Sequence, residues 1–346
     1  MKDRILGRTT LRVKMLGFGG IPIGRVSEDE AIEVVRRCYE LGINFYDTAR
    51  DYGPSEERIG KALEDVRGEI ILATKSSKRT KEGLLKDLDV SLEKLRTHWI
   101  DVYQLHNVAS EEEWVQVAAP GGALEGLFEA REAGKIRHLG ISCHRPDLLV
   151  KILSEDIFDT VMVHHNYLTT RPLEEIASLC REKDVGVIIM KALGGGALRD
   201  ARAALKYVLA NDMVDVVIPG MMTIEEVEEN VSGASGEYAL SEEDLRIMRR
   251  DEEELGSEFC RACDYCQPCP QEIPISFVLR VESVFLNTDG WAPWVVNKTE
   301  ASESKVASCL KCGSCEERCP YNLPIRKLLP EKMESALHRL KTELTQ

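Results

Sequence analysis

A regular alternation of short apolar runs and amphipathic stretches occupies the chain from residue 15 to about residue 230. Helical patterns such as SEDEAIEVVRRCYEL, in which Ser27 and Glu30 form a predicted capping box, separate the apolar runs. Eight such units, without a G-x-G-x-x-G motif, predict an α/β protein built on a (β/α)8 TIM barrel rather than a doubly wound sheet. The eight predicted strands are MLGFG, NFYD, IILATK, IDVYQLH, HLGIS, TVMVHH, VGVIIM and VDVVIPG.

The first residues of the chain predict a hairpin rather than a targeting segment. RILGRTTLRVKM alternates around a polar turn, so we expect an N-terminal hairpin that plugs the bottom of the barrel. The opening MKDRILGRTT lacks the apolar run of a signal peptide, and no stretch has the roughly 18 apolar residues that span a bilayer. We therefore predict a soluble, cytoplasmic protein without a membrane partner.

The charge balance argues against a nucleic-acid partner. The 346 residues include 45 Lys and Arg against 59 Asp and Glu, which gives a net charge of −14. This is the wrong sign for a surface that holds phosphate backbones. With 43% hydrophobic residues, the chain can bury a full core.

Eight of the 11 cysteines form two groups near the end of the chain. The second group, CLKCGSCEERCP, has the C-x₂-C-x₂-C-x₃-C-P run of bacterial ferredoxins, in which three thiolates hold one cube and the fourth holds the other. The first group keeps the final proline, and the similar words QEIPI and YNLPI follow the two groups as an internal repeat. The predicted metal ligands are Cys260, Cys263, Cys266, Cys269, Cys309, Cys312, Cys315 and Cys319.

These thiols predict two [4Fe-4S] clusters. Two zinc ribbons are the alternative, but zinc needs only four ligands and does not require four thiols spaced three apart and followed by proline. The composition changes at Gly256 and Ser257. We predict a barrel domain over residues 1–255 and a C-terminal, α-rich, ferredoxin-like iron-sulfur domain over residues 256–346.

Chemistry on a barrel of this kind occurs at the C-terminal ends of the strands. Asp47, Lys75 and His106 end the second, third and fourth predicted strands, and Tyr52 follows the second. Each residue alone has a structural explanation, but together they indicate acid catalysis. Lys75, held by Asp47, would lower the pKa of Tyr52. Tyr52 could then donate a proton to a carbonyl oxygen to which His106 also donates a hydrogen bond.

Several segments resemble the aldo-keto reductases along the whole barrel. They are NFYDTARDYGPSEERIGKAL (44–63), ILATKSS (71–77), DVYQLHN (101–107), GKIRHLGIS (134–142) and VVIPGMMTIEEVEENV (216–231). With its cysteine groups, the chain resembles the subgroup that carries a C-terminal ferredoxin-like 2[4Fe-4S] module. The resemblance implies reversible carbonyl reduction by a nicotinamide cofactor, with a catalytic tetrad of Tyr52, Asp47, Lys75 and His106.

The resemblance also implies where the cofactor binds. The family uses the loops after strands 7 and 8 for the cofactor's phosphates, and KALGGG (191–196) and PGMM (219–222) occupy these places. The implied cofactor-binding residues are Ser142, Met190, Lys191, Gly194, Gly195, Gly220 and Asn230.

This sequence departs from the family pattern at several of these positions. Met190 stands in place of an aromatic platform, and Cys143 and Met162 stand in place of carboxamide-binding residues. Gly220 and Glu226 replace the basic residues that hold the 2′-phosphate of NADP. We therefore expect NADH to bind at least as tightly as NADPH, with binding of neither cofactor as the third outcome.

The leading hypothesis is an iron-sulfur oxidoreductase. Its barrel would act on a small carbonyl or alcohol substrate, and its clusters would exchange electrons with a redox partner protein. Because hydride carries two electrons and a cube accepts one, a flavin is a further candidate cofactor. The alternative hypothesis is an electron-transfer or redox-sensing protein whose barrel binds a ligand without turnover. A metal site at Cys143, His144, His164 and His165 is a separate alternative.

Overall fold

The computed structural model describes residues 1–286 and 290–344. An antiparallel hairpin is followed by eight strands that form one parallel sheet, in which each strand pairs with its neighbours in chain order. Bridges from Leu16 to Val217 and from Gly19 to Gly220 join the first and last of the eight, so the sheet closes into the predicted barrel. The strands are β1 (Asp3–Ile5), β2 (Arg12–Lys14), β3 (Phe18–Gly19), β4 (Phe45–Asp47), β5 (Ile71–Ser76), β6 (Ile100–Leu105), β7 (Ile136–Ser142), β8 (Thr160–His164), β9 (Gly186–Met190) and β10 (Val216–Val217).

Helices alternate with the barrel strands, as the periodicity predicts. The predicted capping box is present: the Ser27 side chain accepts from the Glu30 backbone N–H, and the Glu30 carboxylate accepts from the Ser27 backbone N–H. The helices that accompany and follow the barrel strands are α1 (Glu28–Glu40), α2 (Ser55–Leu63), α3 (Lys81–Lys94), α4 (Glu111–Ala118), α5 (Ala123–Glu132), α6 (Pro146–Ser154), α7 (Arg171–Glu182), α8 (Ala201–Leu209), α9 (Ile224–Gly233) and α10 (Glu242–Leu255).

The hairpin closes one end of the barrel. Leu6 and Val13 pack in one buried cluster with side chains from the strands, among them Phe45, Val102 and Ile188. Gly7, between the two hairpin strands, has a φ of +46°, and a Cβ added there would lie 2.2 Å from the backbone nitrogen of Gly186. The predicted plug is therefore confirmed, and glycine is required where its turn meets β9.

The residues group into two compact units. The first contains Met1–Ala192 and Asp200–Ser241, and the second contains Leu193–Arg199 and Glu242–Gln346. Beyond α10, the described part of the second unit is helical, in agreement with the predicted α-rich domain, and its longest helix is Ile325–Glu343. The domain boundary at residue 255 stays a prediction. Within the described residues, no helix has both the length and the apolar character needed to cross a membrane.

A close contact between α2 and the last residue of α3 in the barrel unit generates a stability prediction. Gly60 lies in α2, where an added Cβ would come within 2.3 Å of the Lys94 carbonyl oxygen, whereas nothing lies within 4 Å of an added Cβ at Gly68. We expect Gly60→Ala to destabilise the barrel by about 1–3 kcal/mol, because backbone must move to make room. Gly68→Ala should change stability by less than about 0.5 kcal/mol. Urea unfolding followed by circular dichroism measures both, and equal midpoints would contradict the packing described here.

Candidate functional site

Three neighbouring strands bring the predicted tetrad together at one end of the barrel. Asp47 is the last residue of β4, Lys75 lies in β5, and His106 follows β6 directly, while Tyr52 lies in the loop after β4. Ile71 and Ala73 face the barrel interior, so the alternation of side chains also directs Lys75 inward. Because the strands are parallel neighbours, their C-terminal ends converge.

A buried ion pair forms the base of this site. The Lys75 ammonium, only 1% exposed, donates to Asp47 Oδ1 at 2.5 Å and to the Thr48 carbonyl oxygen at 2.8 Å. Burial disfavours the ammonium, but the interactions of Lys75 with Asp47 and Tyr52 together outweigh it, so the pKa of Lys75 is raised. Lys75 therefore carries a positive charge beneath the site at neutral pH.

Gln104 completes the support of this pair, and the sequence analysis did not single it out. Its Nε2 donates to Asp47 Oδ2 at 3.0 Å, so both carboxylate oxygens of Asp47 have donors. The available signal was strand alternation, which places Gln104 in β6 on the same face as His106. Burial raises the pKa of Asp47 on balance, and Lys75 and Gln104 offset part of that effect.

Tyr52 lies over the ion pair. The Lys75 nitrogen is 4.9 Å from the centre of the Tyr52 ring, and the ring meets that of His106 edge to face at 5.7 Å. Burial raises the pKa of Tyr52, and Lys75 only partly opposes this effect. The expectation of a lowered pKa is therefore wrong in its net direction, because it counted the charge and not the burial. The phenol is protonated at neutral pH and can donate its proton.

His106 is held between the ion pair and an acidic residue that the sequence analysis did not single out. Burial lowers the pKa of His106, and the nearby Lys75 ammonium lowers it further, while Asp51 opposes both. Asp51 Oδ2 lies 3.4 Å from His106 Nδ1. His106 is therefore a neutral imidazole near pH 7.

The eight grouped cysteines lie in the second unit and combine across the two motifs. Cys269 of the first motif lines a cavity together with Cys309, Cys312 and Cys315 of the second. Cys319 lies within electrostatic range of the remaining three thiols, those of Cys260, Cys263 and Cys266. The fourth cysteine of each motif thus joins the first three of the other, which is the arrangement found in two-cluster ferredoxins.

The backbone repeats between the two motifs. In each motif the residue two places after the first cysteine, the residue after the second cysteine and the residue three places after the last cysteine have positive φ. These pairs are Ala262 and Lys311, Asp264 and Gly313, and Glu272 and Asn322. The internal repeat seen in the sequence is thus a repeat of conformation, and it gives each set of thiols a similar loop.

The two sets of thiols differ in exposure. Cys260, Cys263, Cys266 and Cys319 are all buried, whereas Cys312 is exposed and the other thiols of its set are intermediate. Burial raises the pKa of Cys260 to about 11 and that of Cys263 to about 12, so positive charge from bound iron is needed to hold them as thiolates. Lys311, Arg318 and Arg326 line the cavity of the more exposed set and supply compensating charge there.

Comparison with known proteins agrees with both the barrel site and the paired cysteine motifs. Residues 15–203 match the aldo/keto reductase family, and residues 259–324 match a 4Fe-4S dicluster domain. L-galactose dehydrogenase of Arabidopsis thaliana is 30% identical over 285 residues, which are 67% of this chain and 88% of that protein. The chain belongs to the aldo/keto reductase family.

Further relatives support the same assignment. D-threo-aldose 1-dehydrogenase of Pseudomonas sp. is 26% identical over 227 residues, which are 54% of this chain and 68% of that protein. The holo form of an aldo-keto reductase from Bacillus halodurans superimposes with a TM-score of 0.64 at 29% identity, covering 72% of this chain and 96% of that one. The chain is an oxidoreductase of the aldo-keto reductase type with a 4Fe-4S dicluster domain.

The residues expected to hold the nicotinamide end of a cofactor have other contacts in this structure. Ser142 Oγ accepts from the Asn107 backbone N–H at 2.9 Å, and Met190 ends β9 beside the barrel core. Lys191 has a φ of +57°, and its carbonyl oxygen accepts from Asn166 Nδ2 at 2.9 Å. These contacts explain each of the three residues structurally. Their part in binding a cofactor stays a prediction.

Packing also explains the positions of the glycines and of Asn230, which the family resemblance implies as cofactor-binding residues. Gly194 and Gly195 have positive φ and belong to the second unit, where a Cβ on Gly195 would lie 3.1 Å from Val284 Cγ1. A Cβ on Gly220 would lie 2.5 Å from Pro22 Cγ. Asn230 is buried in α9. Close packing against Pro22 therefore accounts for Gly220, and positive φ accounts for Gly194 and Gly195, whatever they bind.

The separate metal site at the ends of β7 and β8 does not assemble. The rings of His144 and His164 lie 4.2 Å apart, but His165 packs against Tyr207 instead, as the alternation along a strand requires. The Cys143 thiol donates to the Val108 carbonyl oxygen. Across residues 1–286 and 290–344, no three His, Cys, Asp or Glu side chains gather around a single-ion position, as a mononuclear zinc site would require.

Arg318 ties the two cysteine motifs together and generates a testable prediction. Arg318 is one of the three residues between the last two cysteines of the second motif. Its guanidinium donates to the carbonyl oxygens of Cys266, Gln267 and Pro268 in the first motif at 2.8 to 3.1 Å. We expect Arg318→Ala to accelerate the anaerobic loss of iron to a chelator by about tenfold or more, since hydrogen bonds to a charged group each contribute about 1.5–3 kcal/mol.

The matched control for this prediction is Arg339→Ala. Arg339 pairs with Glu343 on an exposed helix turn of the same unit, so its removal costs little. Iron release is followed by the absorbance of the chelate in both variants. Equal release rates would show that Arg318 does not stabilise the thiol loops.

Proposed function

We propose that the barrel site interconverts a small carbonyl compound and its alcohol, with Tyr52 as the proton donor. The observation that carries this proposal is the Lys75 ammonium, buried on Asp47 Oδ1 at 2.5 Å and 4.9 Å from the centre of the Tyr52 ring. A buried ammonium stabilises the phenolate that remains after proton transfer, while burial keeps the phenol protonated beforehand. No such pair is needed for ligand binding without turnover, so the redox-sensing alternative is not favoured.

Each side chain has a separate part in the proposed mechanism. Tyr52 donates its hydroxyl proton to the carbonyl oxygen, and Lys75 stabilises the resulting charge. Asp47, held by Gln104, keeps Lys75 charged and in place. His106 supplies a second hydrogen-bonding group beside Tyr52. A bound nicotinamide would supply the hydride.

The chain's second unit supports a role in one-electron transfer. Its eight thiols would hold two [4Fe-4S] clusters, each of which exchanges one electron at a time. Two such transfers carry the two electrons of one hydride, whose proton is released to solvent, and a flavin could join the two kinds of step. The redox partner protein, the flavin and the cytoplasmic location stay predictions.

Aldoses are the first substrate class to test. Two relatives are named as dehydrogenases of L-galactose and of a D-threo-aldose. In an aldose, oxidation and reduction involve the hydroxyl or carbonyl oxygen of a single carbon, which suits a site with one proton donor. A panel of aldoses and small aldehydes, assayed with NADH and NADPH under anaerobic conditions, addresses this class directly.

The role of Tyr52 predicts a large kinetic effect. Tyr52→Phe should lower kcat by about 10²-fold or more with any active member of the panel, because loss of a general acid typically costs this much. Iron and sulfide content should not change. Tyr39→Phe is the matched control, since Tyr39 bonds Glu69 at the surface. Unaltered kcat in Tyr52→Phe would remove Tyr52 from the mechanism.

The N-terminus of α9 opposes an additional phosphate, which bears on the choice of cofactor. Glu226 Oε2 accepts from the backbone N–H groups of Met222 and Thr223 at 2.7 and 3.3 Å, and the Glu226 N–H donates to Thr223 Oγ1. These amides are therefore already bonded, and a carboxylate stands where a 2′-phosphate would need a cation. A ribose 2′-hydroxyl, by contrast, can donate to a carboxylate. The residues present fit NADH better than NADPH.

We expect calorimetric titration of the oxidised protein to show NADH binding at least as tightly as NADPH. Glu226→Gln keeps a side-chain acceptor for the capping box and removes the charge. The ratio of the two dissociation constants should then move toward NADPH by about fivefold, the effect of roughly 1 kcal/mol. Glu225→Gln, an exposed position in the same turn, should leave the ratio unchanged. Clear NADPH preference in the parent protein would contradict this placement of the phosphate.

A further inference from the structure

Arg280 is a buried cation in the second unit, outside both the barrel site and the two sets of thiols. It follows the short helix Ile275–Val278, and the residue is only 8% exposed. Its guanidinium carbon lies 5.2 Å from the centre of the Phe285 ring. Within the described part of the chain, no carboxylate forms an ion pair with it. Because burial removes most of its hydration, such a cation is stabilised by an anion nearby.

A glycine lets the guanidinium lie directly against the backbone. Gly195 has a φ of +72°, and a Cβ added there would lie 3.4 Å from Arg280 Nη2. The loop Leu193–Arg199, which contains Gly195, belongs to the same unit as Arg280. The guanidinium is therefore enclosed by residues of its own unit and does not extend into solvent.

The anion within reach of Arg280 is a set of cluster thiolates. Val281, the next residue in the chain, is fully buried in the same apolar cluster as Cys260 and Cys266. Arg280 and Cys260 also lie within electrostatic range of each other. A cube on four thiolates has net negative charge, and its reduction adds one more negative charge. A nearby cation therefore favours the reduced form of what we call the buried cube, the one held by Cys260, Cys263, Cys266 and Cys319.

A carboxylate acts on the same cube in the opposite direction. Asp264 directly follows Cys263, and its charge acts on the first three thiols of its motif as well as on Arg280. Since a negative charge disfavours the addition of an electron, Asp264 favours the oxidised cube. Asp264 is only partly buried, so water and salt screen its field more than that of Arg280.

The cations beside the other set of thiols are paired or exposed. Arg318 donates to three carbonyl oxygens, and Arg326 pairs with Glu316 at 2.6 Å. Lys311 is exposed to solvent. Charges of these two kinds have little effect across water. The two cubes thus differ in the charge that each one meets.

We propose that Arg280, opposed by Asp264, sets the reduction potential of the buried cube. Burial on its own favours the oxidised state, which carries less charge, and Arg280 counteracts this by stabilising the reduced state. The arginine therefore draws an electron toward the buried cube and away from the more exposed one. This role depends on the binding of the cubes and not on the barrel reaction.

The potentials of both cubes are measured by dithionite titration of the full-length protein, purified without oxygen, with EPR detection. Arg280→Gln should shift the reduction equilibrium of the buried cube about tenfold toward the oxidised form, which is about 59 mV for one electron. One unit charge about 10 Å away in a protein interior has roughly this effect. Arg280→Lys keeps the charge and should stay within about threefold of the parent protein. A soluble dysprosium complex identifies the cubes, since it accelerates the relaxation of the more exposed one.

The matched control is Lys311→Gln, which removes an exposed charge beside the other cube. It should leave the equilibrium of the buried cube within about twofold of the parent. Asp264→Asn should shift that equilibrium about threefold toward the reduced form. Asparagine is suited to this position because Asp264 has a φ of +55°, a conformation that asparagine tolerates.

An unchanged potential of the buried cube in Arg280→Gln, or equal shifts of both cubes, would overturn the proposal. Iron and sulfide content shows whether each variant retains both cubes. If Arg280→Gln loses the buried cube, Asp264→Asn decides the matter, and a potential that does not rise in this variant rejects the proposal. Because no substrate is present in these titrations, a failure of carbonyl turnover would reject the proposed function and leave the potentials unaffected.

Discussion

The charge on Lys75 is the constraint on which the barrel site depends. An ammonium that is 1% exposed remains ionised only when its surroundings replace the water that it loses, and here Asp47 and the Thr48 carbonyl oxygen do so. Removing one member of such a pair costs about 3–5 kcal/mol, because the other is left as an uncompensated buried charge. The same charge lowers the pKa of Tyr52 and of His106, so the protonation of both residues depends on the Lys75–Asp47 pair.

In the second unit the groups that must be charged while partly or fully buried are the cluster thiolates. Four of its eight cluster thiols are buried, and burial raises the pKa of a thiol, so metal binding and folding are expected to depend on each other. The repeated left-handed residues shape each loop, and Arg318 joins one loop to the other through carbonyl oxygens. The last two cysteines of the second motif are separated by one residue more than those of the first. This longer segment has a structural role, because it contains Arg318.

Several of the departures from the family pattern have local explanations in the structure. Glu226 caps α9, and Gly220 lies against Pro22. A residue with one structural role can still take part in binding, but its presence does not by itself report a cofactor.

Sequence patterns alone predicted the barrel, the hairpin, the two cysteine motifs and the placement at or just after strand ends of four residues, Asp47, Tyr52, Lys75 and His106. Periodicity and spacing carry this information because strand alternation, helix caps and ligand spacing are local along the chain. The tertiary structure was needed to show that Gln104 and Asp51 join the site, that Tyr52 has a raised pKa, and that Cys269 of the first motif lies with the first three cysteines of the second. Each of these depends on distances between residues far apart in the chain or on the depth of burial, and neither quantity is written in a local pattern.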